Sequence, residues 1–184
     1  DESMEVKFGG RVIERFDEKG YSAEHVDYTS VIAVPYDMFI SGYDTEAVNK
    51  LVLWSAKSPK NLDMAAFSRG DYAKALEENN KAEVISKILY PADNHKEKKI
   101  LRIRQQYFFV SCTIQWIISR FKRHHKGLDL DKLGQYIAIH INDTHPTLAI
   151  PELMRVLLDD CGFGWEKSFD IVKNTFAYTN HTVL

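Results

Sequence analysis

The sequence predicts an α/β fold: a partial Rossmann-like, mostly parallel sheet with flanking helices, one long helix and a small antiparallel β portion near the start. Three observations lead there. Apolar residues between positions 100 and 121 recur at spacings of three and four, the period of one helix face. The last third reads strand, helix, helix, strand, an order that suggests a right-handed crossover between parallel strands. The first sixty residues hold short β-rich runs punctuated by Gly, Pro and Ser.

Along the chain, "MEVKFGGRVIERF" places Val6, Phe8, Val12 and Ile13 around Gly9-Gly10, a hairpin or bulge signal in antiparallel β. "TSVIAVPYDMFI" and "KLVLWSA" are strand candidates, and Pro35 favours an edge or a strand end for the first. From Asp71 to Leu89 the composition is helical. The reading interrupts this helix near Asn79-Asn80, gives it an apolar stripe of Val84, Ile85, Ile88 and Leu89, and stops it at Pro91. The loop "YPADNHKEKK" follows.

Ile100, Ile103, Tyr107, Val110, Ile114, Ile117 and Phe121 then define one face of a helix roughly 40 Å long, expected to cross a core. Its end, "RFKRHHKG", sets cations against the negative end of the helix dipole, with Gly127 as C-cap. "QYIAIHI" reads as a buried strand. "PTLAIPELMRVLLDD" is a helix with Pro151 in its first turn and Gly162 at its end, "WEKSFDIVKNTF" a second helix, and "AYTNHTVL" a returning strand.

Composition narrows the function classes. With 184 residues, 45% of them hydrophobic, the chain has material for a core of ordinary domain size. A formal charge of -2, from 24 basic against 26 acidic residues, creates no global field for nucleic acid or an anionic membrane. No apolar run approaches the roughly 18 to 20 residues that span a bilayer. Cys112 and Cys161 have no paired spacing, which fits a reducing compartment and a cytoplasmic location. Without secretion, the sequons at Asn142 and Asn180 are chance matches. The chain begins without Met and stops inside a strand-like run, as a piece of something larger would.

Two short stretches carry candidate chemistry: "NDTHP" at 142–146 and "YTNHT" at 178–182. In open parallel sheets ligands bind beyond the carboxyl ends of strands, and both stretches fall there. Asn142, Asp143, His145, Asn180 and His181 combine donors and acceptors suited to a hydroxyl-covered ligand such as a sugar. A blander reading has Asp143 and Thr144 capping the next helix and His181 as a satisfied core histidine. A metal-dependent hydrolase using His140, Asp143 and His145 is a third reading, although the gap from His140 to His145 matches no standard ligand spacing. A noncatalytic carbohydrate-binding module is a fourth.

"LWSAK", "LYPADN", "INDTHPTLAIPELMRVLLDD", "WEKSFDIV" and "AYTNHTVL" occur in an order and spacing that resemble the α-glucan phosphorylases of glycogen, starch and maltodextrin metabolism. The resemblance covers nearly the whole chain, weakest at the start and over "KGLDLDKLGQY". It implies that residues 1–184 are a fragment of that family's N-terminal domain, without the C-terminal cofactor-bearing domain. It further implies phosphorolysis of terminal α-1,4-linked glucose by inorganic phosphate to glucose 1-phosphate, assisted by pyridoxal phosphate on a lysine outside this chain. In that family's pattern His181 faces the reacting glucosyl unit with its carbonyl and imidazole, Asp143 and His145 lie nearby, and Asn94 sits on a gate loop with Asp93. The resemblance also implies a homodimer of the complete enzyme, partly through the helical segment from Asp71 to Ile85.

Departures from the family pattern carry expectations too. Ser119 precedes Arg120 where regulated animal enzymes carry an arginine pair for AMP, which predicts weak or absent AMP activation. Ala92 and His95 flank the gate residues where those enzymes have a polar and an aromatic residue, placing planar-inhibitor binding in doubt.

Overall fold

A computed structural model describes residues 2–18, 20–60, 63–89 and 95–181. The chain divides into two compact units, residues 1–8 with 29–108 and residues 9–28 with 109–184. Both mix strands and helices, as an α/β fold requires.

In the first unit β1 (Met4–Phe8), β4 (Thr29–Ser41) and β5 (Val48–Lys57) form an antiparallel sheet in the order β1-β4-β5. β1 pairs with β4 only as far as Met4 opposite Ala33, so at Pro35 β4 has β5 alone beside it. The missing proline N–H is tolerated there for the reason it is tolerated on an edge. α1 (Met64–Ser68) and α2 (Tyr72–Lys87) follow. Asp63 and Asp71 cap them, accepting from the backbone N–H of Ala66 and Lys74. α2 runs without a break through Asn79 and Asn80, contrary to the interruption expected from their low helix propensity; its packing on β5 overrides it. Of the expected stripe only Ile85 is buried, with Ala75 and Ala82, whereas Val84, Ile88 and Leu89 are exposed. The helix ends at Lys87, where Ile88 turns extended and its carbonyl accepts from the buried Gln105 amide at 2.6 Å. Pro91 lies outside the described residues.

The second unit begins with the hairpin of β2 (Arg11–Asp17) and β3 (Gly20–Val26). Gly9-Gly10 therefore joins β1 to β2 but does not pair them, which corrects the hairpin expected at that site. Both glycines have positive φ, and a Cβ on Gly10 would lie 2.3 Å from the Val26 carbonyl oxygen, so the pair serves a sharp exit with close backbone approach.

α3 (Lys96–His124) is the long helix, 29 residues. Its expected face is only half correct. Val110, Ile114 and Phe121 are buried, but Ile100 and Ile103 are exposed and the buried positions of the first half are Gln105 and Phe108. The helix serves both units, so no single stripe runs its whole length. Lys122, Arg123 and His124 fill its last turn, and Gly127 takes φ +90 just beyond.

After the short helix α4 (Leu133–Tyr136) come β6 (Ile139–Asn142), α5 (Ala149–Arg155), a π-helical turn (Val156–Asp160), α6 (Trp165–Thr175) and β7 (Phe176–Thr179). Phe121, Ile141, Leu153, Leu157 and Ile171 pack into one core cluster with Leu130 and Leu133. β6 and β7 pair in parallel, Ile139 opposite Phe176 and Asn142 opposite Thr179. This is the crossover that strand, helix, helix, strand predicts. It is also the sole parallel pair among the described strands, whose other pairings are antiparallel. The expectation of a mostly parallel sheet is thus not met: β2 with β3 and β4 with β5 are consecutive strands too close in sequence for the crossover a parallel pair needs, and β1 pairs antiparallel with β4 across the intervening hairpin.

Candidate functional site

The site builds from the register of β6 and β7. Because Asn142 lies opposite Thr179, the two strands end level, and the chain leaves both at the same end. Thr179 also accepts from the backbone N–H of Asp143 at 2.9 Å, carrying the ladder one residue beyond the strands. The stretches 142–146 and 178–181 are therefore tied together at their roots, as their place after two strands predicts.

Asp143 adopts φ +68, a left-handed conformation that Asp tolerates better than most residues. Its Oδ1 accepts from the Thr144 N–H at 2.7 Å. Thr147 Oγ1 donates to the Thr144 carbonyl at 2.7 Å, and turns closed by Thr147, Ala149 and Ile150 N–H groups lead into α5. Asp143 so caps the turn before the helix but not the helix itself, whose N-cap is Leu148 without a side-chain bond. Asp143 is half-buried; Asn142, His145, Asn180 and His181 are exposed. His181 is accessible, so the satisfied-core reading of that residue does not hold. Asp93 and Asn94 lie outside the described residues.

His140 shares a hydrogen bond through Nε2 with the Thr179 hydroxyl. Among the described residues no group of three or more His, Cys, Asp or Glu is arranged to hold a metal ion. The hydrolase reading thus lacks its geometry: His140 reaches across to β7.

Behind the loop, α5 is anchored by a buried carboxylate. Glu152, 3% exposed, accepts from Ser111 Oγ at 2.6 Å and from Arg155 Nε and Nη2 at 3.0 Å each, and Arg155 also pairs with Asp160. Gln115 Nε2 donates to Ser111 Oγ at 3.1 Å. An i,i+3 Glu-Arg pair in "PELMR" hints at the ion pair; the Ser111 contact, 41 residues away, leaves no local signal. The His140–Thr179 contact, 39 residues apart, likewise has no local signal. Burial pushes the Cys112 thiol up to about 12, while half-buried Cys161 is raised for the same reason. The buried Cys112 is therefore no nucleophile at neutral pH, and the Cys161 thiolate is disfavoured in the same direction.

A separate groove of about 730 Å³ between α4 and α6 is lined by Asp131, Gly134, Gln135, Lys167, Asp170, Ile171 and Asn174. It contains none of the residues that the sequence singles out.

The fold and this end define an α/β protein that presents polar loops beyond the carboxyl ends of parallel strands. A family profile for carbohydrate phosphorylases matches residues 1–184. The chain is 45% identical over 185 residues to glycogen phosphorylase 2 of Dictyostelium discoideum, covering 100% of this chain and 18% of that protein. It is 44% identical over 188 residues to the muscle form of glycogen phosphorylase of Homo sapiens, covering 99% and 22%. It is 46% identical over 186 residues to the chloroplastic/amyloplastic α-1,4 glucan phosphorylase L-2 isozyme of Solanum tuberosum, covering 100% and 19%. The chain belongs to the carbohydrate phosphorylase family. It spans about a fifth of the length of these relatives.

Proposed function

We propose that residues 1–184 are part of the N-terminal domain of an α-glucan phosphorylase, and that the complete protein uses inorganic phosphate to release terminal α-1,4-linked glucose as glucose 1-phosphate. The observation that carries this reading is the Asp143-to-Thr179 hydrogen bond, which fastens "NDTHP" beside "YTNHT" at one end of a parallel pair in a chain of this family. His181 faces the reacting glucosyl unit. As the glycosidic bond breaks, positive charge grows on the sugar ring, and the fixed dipole of the His181 carbonyl favours that state over the ground state. Its imidazole orients the sugar, Asp143 and His145 support it, and Asn94 with Asp93 supplies a gate that excludes water.

Pyridoxal phosphate supplies phosphate-group chemistry in this reading, held by residues of the complete protein outside this chain. The residues here do not fit it: a Schiff-base lysine needs a desolvated amine, and no described lysine is buried. Lys81 is shifted the wrong way, raised by its bonds to Glu77 and Glu78.

The β6–β7 pair is read as one edge of a larger Rossmann-like sheet, a reading supported by the parallel register and testable by a structure of the complete protein. A homodimer through α2 is supported by Tyr72 and Leu76, exposed one turn apart on it; sedimentation of the complete protein measures it. No described helix is long and apolar enough to cross a membrane, and a cytoplasmic enzyme is proposed. Weak AMP activation follows from Ser119 beside Arg120, whose guanidinium instead lies 4.7 Å over the Trp116 ring.

The test is release of glucose 1-phosphate from maltoheptaose and inorganic phosphate by the complete protein. Activity in the complete protein with none in purified residues 1–184 is expected. No release from the complete protein, with hydrolysis to free sugar or stoichiometric zinc, defeats the reading.

A further inference from the structure

We infer that Thr179 is a positioning residue for His181: one side chain and one carbonyl hold both site stretches in register. The inference rests on the reading above that His181 meets the reacting sugar. Thr179 is the last residue of β7, two before His181, and is half-buried. Its carbonyl holds the Asp143 N–H at 2.9 Å and its hydroxyl holds the His140 imidazole. His140 does not face Thr179 directly; it faces Ala177, so the side-chain bond runs diagonally across the pair. A ladder bond fixes which residues are opposite, and a diagonal bond adds resistance to sliding and twisting at a strand pair only four residues long.

The loop on the other side is held equally closely. Asp143 sits at φ +68 with its carboxylate on the Thr144 N–H, so the turn is closed locally, and its tie to β7 is the bond from its own N–H to the Thr179 carbonyl. Thr179 therefore sets the separation between the Asp143 loop and the chain that delivers His181. A purely structural threonine would contribute to stability alone. A positioning threonine acts on turnover, since displacement of the carbonyl dipole matters most when charge develops on the sugar.

The test is steady-state phosphorolysis of maltoheptaose by the complete protein carrying Thr179→Val, Thr179→Ser, His140→Ala, or Thr179→Val with His140→Ala. Valine keeps the shape and the backbone ladder and removes the hydroxyl. Expected are a kcat about three- to tenfold lower for Thr179→Val, from loss of one side-chain hydrogen bond, with KM for glucan and the unfolding temperature nearly unchanged. Thr179→Ser recovers the turnover, and the double variant is no worse than the poorer single one, because both remove the same bond. Normal turnover in Thr179→Val, equal loss in Thr179→Ser, or additive losses in the double variant overturn the inference while leaving the phosphorolysis reading intact. A wild-type protein that releases no glucose 1-phosphate removes both.

Discussion

Replacing Glu152 with alanine should loosen α5 and the turn that precedes it. The carboxylate accepts one hydroxyl and two guanidinium hydrogen bonds, and its side chain is 3% exposed. Arg155 is 30% exposed and keeps Asp160 at 3.2 Å, so its loss is partly recovered by water and by that partner. Ser111 has no such recourse. It is 1% exposed, and although Gln115 still donates to it, its own proton is left without an acceptor, a cost of about 1–3 kcal/mol. With a discounted contribution from the arginine, the change should total about 3 kcal/mol, at the lower end for breaking a buried pair. Tenfold per 1.4 kcal/mol makes this roughly a hundredfold rise in local opening. Hydrogen exchange with mass spectrometry on peptides covering residues 149–160 of the complete protein reads that rise directly. Glu152→Gln, which retains an acceptor for Ser111, should fall between the two, at about tenfold. Exchange in Glu152→Ala within about threefold of wild type would refute the reasoning, since it would mean that the cluster holds nothing.

Asp143→Val should lower stability by about 1–2 kcal/mol, because a β-branched residue is forced into a left-handed conformation, whereas Asp143→Asn should leave the unfolding temperature nearly unchanged and lower turnover; thermal unfolding with kinetics separates the two. At pH 8 iodoacetamide should not modify Cys112 in the folded protein, its thiol being fully buried and pushed up to about 12, so that the thiolate is scarce until well above that pH. Cys161, raised less and half-exposed, should react slowly and faster as pH rises. Peptide mass analysis measures both, and equal labelling of the two in folded protein would contradict the burial.

Much of this was legible where local chemistry decides structure. The long helix followed from its period, the parallel pair from the order of elements, and the helix ends from Gly127 and Gly162, both at positive φ. What failed was whatever depends on partners distant in sequence. Gly9-Gly10 looks like a hairpin turn, yet β1 pairs with β4 and β2 with β3, a strand whose "GYSAEHV" alternates too weakly to be read. Asn79-Asn80 looks like a break because propensity is local, while α2 is held by packing against β5. The two site stretches are legible as strand ends, and their common root is present; the Thr179 and Glu152 contacts that fasten it join residues 39 and 41 positions apart and carry no periodic signal.

The central claim is that the end shared by β6 and β7 holds the reacting sugar through His181. The direct measurement is the pair kcat and KM for glucan in the complete protein with His181→Ala, circular dichroism confirming the fold. Turnover should fall on the order of a hundredfold with little change in KM, as expected for a positioning contact worth a few kcal/mol in the transition state. Near-normal turnover in the folded variant would contradict the account and leave "YTNHT" a structural strand end.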